Sequence, residues 1–255
     1  MTTDPLHVHR YGTPSRPPLV LVHGLTDDGT NWPDAVARWG AEWDIYAVDQ
    51  RGHGRSPRFT DDDVADSSQL WVADLRAVVE SLDQPAVVVG HSLGGIVALR
   101  VALQAPDAVR ALVLEDPARP SALPGPDPEF VAGELAFLSA FPEHAASEIA
   151  RMSRETPWSA TEISAWADSK ALVDRLMIER GLHLGDPEWE DLFQALTVPT
   201  LLVLPEDAGM APDENGYDNP RVERVLIPGA GHCVRRDRPA AYHTAVDPFL
   251  AQHRA

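Results

Sequence analysis

Residues 87–99 read VVVGHSLGGIVAL, a run of β-favouring side chains set directly against a run of helical character. Between the two lies Gly90-His91-Ser92-Leu93-Gly94-Gly95, a lone serine among glycines at the corner where a strand becomes a helix. Glycine accepts strained backbone and lets chain segments approach where a Cβ would collide. A serine on such a turn projects its hydroxyl above the strand ends, and the following helix points its N-terminus at any negative charge that develops there. Strand–Gly-x-Ser-x-Gly–helix is the pattern of a nucleophile elbow. A tight turn that happens to contain serine is the plainer reading, and the rest of the chain has to choose.

Outward from this stretch, short β-branched runs alternate with longer helical patterns, the signature of a mostly parallel sheet covered by helices. Residues 19–22 read as a buried strand ended by His23-Gly24. A helix is predicted over 31–39, with Pro33 tolerable in its first turn, and a strand over 45–49. Residues 68–82 carry Leu70, Val72, Leu75, Val78, Val79 and Leu82 at roughly helical spacing. Strand 87–90, helix 92–104 and strand 111–115 follow. The rhythm then breaks. Residues 117–127 are proline-rich and loop-like, and 129–196 read as several helices with no strand among them. Alternation resumes with strands over 199–204 and 222–227 and a closing helix over 239–252. A helical insertion of this length inside a strand–helix series reads as a cap over the sheet and not as a linker. The expected division is a core of 1–117 with 197–255 and a cap of 118–196.

The whole chain has 255 residues, enough for one large domain, and 44% of them are hydrophobic. Its net charge of −18, from 39 acidic and 21 basic residues, argues against nucleic acid or an anionic membrane surface as partner. No stretch approaches the ~20 apolar residues of a membrane helix. Met1–Pro5 lacks the basic and apolar regions of a secretory leader, so a cytoplasmic chain is expected. One cysteine, Cys233, precludes an internal disulfide and any site built on several cysteines. The ten histidines show no HExxH and no paired spacing suggestive of zinc, so neither metal nor cofactor is expected. The oligomeric state is not legible.

A serine hydroxyl needs a neighbouring base to become nucleophilic near neutral pH. His232 is placed for this, on the glycine-rich segment Ile227-Pro228-Gly229-Ala230-Gly231-His232 after the last strand. An oxyanion hole needs two main-chain N–H groups, and Leu25, after His23-Gly24, and Leu93, after Ser92, are the natural donors. His23 reads as a structural turn residue, Cys233 as a small packed side chain, and Lys170 as a solvated charge.

The segments VLVHGLTDDGTNW, YAVDQRGHGRS, GHSLGG, LVLEDPA and IPGAGH, in this order and spacing, resemble the α/β-hydrolase superfamily in its capped form. The resemblance covers nearly the whole chain and is least specific in the cap. It implies the α/β-hydrolase fold: a doubly wound, mostly parallel sheet of seven or eight strands with an inserted helical cap, and a Ser–acid–His triad. On the same resemblance, Asp49–Ser56 is a loop-forming scaffold signature.

The acid is less determined. The family's usual position follows strand 200–204, but Pro205-Glu206-Asp207-Ala208 puts Ala208 there, with Asp207 one residue early. The other position known in the family, used by haloalkane dehalogenases, falls on Asp116 in Leu114-Glu115-Asp116-Pro117. Asp116 is preferred, Asp207 is the alternative, and Glu115 and Glu206 stay open.

Within the cap, Trp158 and Trp166 are the preferred substrate contacts among a set that includes Trp189, Phe137 and Phe141. The expected function is a serine hydrolase cleaving a carboxylic ester or lactone through an acyl-enzyme, on a small molecule with an apolar portion. A serine at 92 argues against dehalogenase or epoxide-hydrolase chemistry, which needs a carboxylate nucleophile. C–C bond hydrolysis or perhydrolysis by the same triad, and a catalytically weak ligand receptor on this fold, are the alternatives.

Overall fold

The computed structural model describes residues 5–120, 127–185, 188–207, 210 and 212–254. The N-terminal residues 1–4, the segment 121–126 of the proline-rich stretch and Ala208 lie outside the described residues.

The strands are β1 (Val8–Gly12), β2 (Pro18–Val22), β3 (Asp44–Val48), β4 (Ala86–His91), β5 (Val109–Glu115), β6 (Thr200–Pro205) and β7 (Val222–Ile227). They form one seven-stranded sheet in the order β1-β3-β2-β4-β5-β6-β7. The edge strand β1 runs antiparallel to β3, and every other pair is parallel. Parallel strands covered on both faces read as continuous apolar runs, which is why 19–22 and 87–89 show no polar alternation. Successive side chains still point to opposite faces. Val20, Val22 and Val88 pack into a core with Leu75 and Leu99. Leu19, Leu21, Val87 and Val89 pack into a second core with Trp39, Tyr242 and Val246.

The first of these faces is covered by α2 (Ser67–Glu80) and α3 (Leu93–Gln104), the second by α1 (Pro33–Trp39) and α9 (Pro239–Gln252). Helix α1 begins two residues later than its periodicity predicts. Pro33 takes the first turn, and the Asn31 side chain instead accepts the Asp28 N–H. Between β5 and β6 the chain inserts α4 (Pro128–Glu155), α5 (Ala160–Ser169), α6 (Arg175–Arg180) and α7 (Trp189–Gln194), with no strand among the described residues. Three of these helices start on side-chain caps. Asp127, Ser159 and Asp174 accept the N–H groups of Glu129, Glu162 and Leu176. A four-residue helix, α8 (Val234–Asp237), follows β7 and is too short to show in the periodicity.

Register decides where the loops meet. Val22 lies beside Gly90, His91 beside Glu115, and Glu115 beside Val203. The carboxyl ends of β2, β4, β5 and β6 therefore open at one edge, the usual place for a site in an open parallel sheet.

Candidate active site

Ser92 joins β4 to α3 with φ +51° and ψ −116°, a conformation that a side-chain-bearing residue holds only when its surroundings over-determine it. The surroundings are the neighbouring glycines and a set of backbone bonds. A Cβ on Gly94 would collide with the carbonyl of Val22, and one on Gly90 with the carbonyl of Gly94. The Ser92 N–H donates to Glu115 O at 3.0 Å, and the Ala118 N–H donates to Ser92 O at 2.9 Å. The Ser92 hydroxyl makes no capping bond to α3 and opens on a cavity of about 520 Å³.

His232 opens on the same cavity, from the loop after β7. Its Nδ1 lies 2.6 Å from Asp116 Oδ2, so Nδ1–H donates to the carboxylate. Asp116 directly follows β5, with φ +36°, its N–H donating to Val203 O at 2.9 Å and its side chain 4% exposed. The other carboxylates considered for this position are engaged or placed elsewhere. Glu115 is buried and accepts the Arg235 N–H at 2.6 Å. Burial raises its carboxyl above the ordinary range against the pull of Arg235. Glu206 accepts the Gly229 N–H at 3.2 Å, and Asp207 is exposed on the turn beyond β6.

Two histidines near the serine have other work. His91 is buried, its Nε2 donating to His232 O at 3.1 Å, and its ring lies 4.8 Å from that of His232. Burial, and then the nearby His232 and Arg236, push its pKa well below the ordinary value, so it stays neutral. His23 bridges its loop, with Nδ1 2.8 Å from Gly24 O and Nε2 accepting the Gln50 N–H at 3.0 Å. Burial lowers this histidine too. Leu25 and Leu93 both line the cavity, and among the described residues neither backbone N–H is spent on a protein acceptor. Free N–H groups beside a serine hydroxyl are what an oxyanion requires.

Trp158 and Trp166 line the cavity, their ring centroids 6.5 Å apart and nearly perpendicular. Trp158 donates Nε1–H to Asp237 at 2.7 Å, and Asp237 in turn accepts the Gly231 N–H at 2.8 Å, tying this tryptophan to the loop that carries His232. Phe137 and Phe141 pack around Trp166, and Trp189 is fully buried core. Phe130 is a cavity residue that helical spacing alone does not single out. It lies 45% exposed on α4. Cys233 also lines the cavity, and burial pushes its thiol up to about 12, away from thiolate chemistry.

Lys170 corrects an expectation. It is not a solvated charge: its side chain is 1% exposed, and Nζ donates to Thr26 O at 2.8 Å and Asp27 Oδ1 at 3.2 Å. Asp27 also pairs with Arg236 at 2.9 Å, and Glu162 of α5 joins both Arg235 and Arg236. Burial works against the Asp27 anion, yet Arg236 and Lys170 hold its carboxyl well below the usual range. Helical spacing shows which face of a helix is apolar, but not that a cation at its end meets buried anions from another loop.

Among the described residues, one group could gather three metal-ligating side chains, His7, His9 and Asp49, whose ligand atoms lie within 4.8 Å of one another. His7 and His9 form a His-x-His pair at the start of the edge strand. Asp49 is already committed. Oδ1 accepts the Gly29 N–H at 2.7 Å and His9 Nε2 at 2.9 Å, and Oδ2 accepts the Arg55 N–H at 2.8 Å. These bonds organise the loop beyond β3.

Seven strands in this order, a strained serine after the strand β4, and an Asp–His pair at the same sheet edge define an α/β-hydrolase fold. A model of the alpha/beta hydrolase family matches residues 19–245, and the chain belongs to that family. Over 120 residues it is 45% identical to lipase LipV of Mycobacterium tuberculosis, a match that takes in 44% of this chain and 42% of that lipase. Over 265 residues it is 29% identical to the sn-1-specific diacylglycerol lipase ABHD11 of Mus musculus, covering 94% of this chain and 83% of the relative. The solved structure of a thermophilic esterase from Thermogutta terrifontis matches with a TM-score of 0.72 at 25% identity, over 98% of this chain and 94% of that one.

Proposed function

We propose that this α/β hydrolase is a serine esterase, cleaving a carboxylic ester or lactone through an acyl-enzyme. The observation that carries the reading is the 2.6 Å contact between His232 Nδ1 and Asp116 Oδ2, beside a serine held at φ +51°. In the proposed cycle His232 Nε2 takes the Ser92 proton as Oγ attacks the substrate carbonyl, and a tetrahedral oxyanion forms. Leu25 N–H and Leu93 N–H receive the oxyanion. His232 then protonates the leaving alcohol, and the acyl group stays on Ser92. A water, deprotonated by His232, attacks that acyl group; the second tetrahedral intermediate collapses to the acid and Ser92 recovers its proton. Asp116 fixes the imidazole tautomer and stabilises the imidazolium without taking a proton.

The cavity supports a substrate with an apolar portion, since Phe130, Trp158, Trp166, Leu182 and Leu184 all line it. Relatives whose names specify a lipase, a diacylglycerol lipase and an esterase support ester chemistry. We take 118–196 as the cap, 1–117 with 197–255 as the core, and the cytoplasm as the compartment. No helix among the described residues is long and apolar enough to cross a membrane. The test is turnover of p-nitrophenyl acetate and butyrate by wild type and Ser92→Ala. A burst of p-nitrophenolate followed by steady turnover, lost in S92A, supports the reading; equal rates in the two proteins overturn it.

A further inference from the structure

Leu25 presents its N–H from the loop after β2, and the next residue is unusual. Thr26 is β-branched yet has φ +64°, the left-handed region that such residues avoid. A conformation of that kind persists only where neighbours hold it in place. Part of the holding is local, the Asp27 N–H donating to Gly24 O at 3.3 Å across the turn, and part comes from the inserted helices. Lys170, at the end of α5, donates Nζ–H to Thr26 O at 2.8 Å and to Thr26 Oγ1 at 3.1 Å. The Ser169 hydroxyl lies 3.0 Å from the same carbonyl and shares its one proton with Trp166 O of its own helix at 2.9 Å. Asp27, one residue on, completes the cage around the ammonium at 3.2 Å, and the face of Trp166 lies 5.2 Å from Nζ.

The cage extends to the other half of the site. Arg236 reaches Asp27 Oδ2 at 2.9 Å from α8, four residues beyond His232, and Glu162 of α5 receives the same guanidinium at 2.8 Å. The loop carrying Leu25 is thus clamped between a cap-derived cation and a cation from the histidine segment. The buried Asp27 carboxylate is shared by these two cations and so links the two segments.

We propose that Lys170 is a positioning residue for the oxyanion hole: its buried ammonium, supplied by the cap, holds Thr26 in the left-handed turn that aims Leu25 N–H at the oxyanion. The inference rests on the esterase reading of Ser92. Lys170 touches no reacting atom. It acts through the Thr26 carbonyl, so packing of the cap and transition-state stabilisation become one event.

The experiment compares wild type, Lys170→Met and Lys170→Arg by p-nitrophenyl butyrate kinetics, by inhibition with a trifluoromethyl ketone whose adduct on Ser92 carries the oxyanion, and by amide exchange over residues 23–28. Losing one oxyanion donor costs about 100- to 1,000-fold in kcat, so a displaced donor in K170M should cost roughly 10- to 100-fold. KM should stay within about threefold, because the ester carbonyl gains most from the hole only in the transition state. Ketone affinity should fall in parallel with kcat, the loop amides should exchange faster, and K170R should recover part of each loss. A K170M protein with wild-type loop exchange, or one whose loss lies in KM with ketone affinity unchanged, overturns the proposal. If K170M does not fold, Lys170→Gln removes the ammonium while keeping a polar side chain of similar length. It must speed loop exchange and lower kcat several-fold, and wild-type behaviour in both overturns the proposal. Should the wild type fail to turn over esters, the esterase reading falls, while loop exchange in the variants still decides whether Lys170 positions the loop.

Discussion

Asp116 follows one strand and His232 another, 116 residues later in the chain, yet Nδ1 of the histidine lies 2.6 Å from Oδ2 of the aspartate. The contact exists because β5 and β7 flank β6 in a parallel sheet, so their carboxyl ends open at the same edge. Among the described residues Asp116 Oδ1 is buried without a hydrogen-bond partner, which leaves His232 as the principal outlet for this carboxylate.

That geometry separates two carboxylates. Asp116→Asn should lower kcat by about 1,000- to 10,000-fold while leaving the fold intact, because an amide stabilises the wrong imidazole tautomer. Asp207→Asn, on an exposed turn, should stay within about twofold of wild type. Steady-state kinetics on p-nitrophenyl butyrate checks the ranking, and a larger loss in D207N would transfer the role.

Removing the anion that joins two buried arginines should show in stability. Glu162 is 1% exposed and binds both Arg235 and Arg236. Glu162→Ala leaves buried cations short of a partner, which typically costs about 3–5 kcal/mol. Urea denaturation should show the loss as a lowered midpoint at unchanged slope.

Asp49 makes stability depend on acid. Burial opposes its charge, but His9 and the amides of Arg55 and Gly29 bring its carboxyl down to about 2. A carboxyl lowered on folding contributes stability that is complete above its unfolded range and lost as pH falls through the folded value. Asp49→Asn should therefore be less stable than wild type by about 1–2 kcal/mol near neutrality. The gap should narrow as pH drops from about 4 towards 2, read from thermal midpoints across that window. A gap independent of pH would assign the effect to packing.

Phe130 tests the cavity without touching the chemistry. It lines the space above Ser92 while remaining 45% exposed, so Phe130→Ala should leave the thermal midpoint nearly unchanged. Losing its apolar contact should raise KM for long acyl esters by roughly 5- to 10-fold, about 1 kcal/mol, and affect acetate much less. An equal effect on all chain lengths would remove Phe130 from the acyl path.

What could be read without coordinates was local. The strand, glycine-flanked serine and helix around Ser92 are neighbours in sequence, and their strain follows from adjacent residues. The helical insertion was legible because strands stop recurring between 116 and 199. The partner of His232 is only narrowed by sequence: Asp116 is preferred over Asp207, but both follow strands, and sheet order and side-chain direction are what separate them. Lys170 eludes sequence for a related reason. A lysine at a helix end is ordinarily solvated, and only the tertiary meeting of α5 with the loop at Thr26 and Asp27 buries it. Helix α8 escaped because four residues carry no periodicity.

A nucleophilic Ser92 is open to direct chemical labelling. Peptide mass mapping after treatment with an active-site fluorophosphonate tests it most directly. One phosphonyl group per chain is expected, on the peptide holding Ser92, with no labelling of S92A. Labelling at another residue, or none on folded wild type, would contradict it.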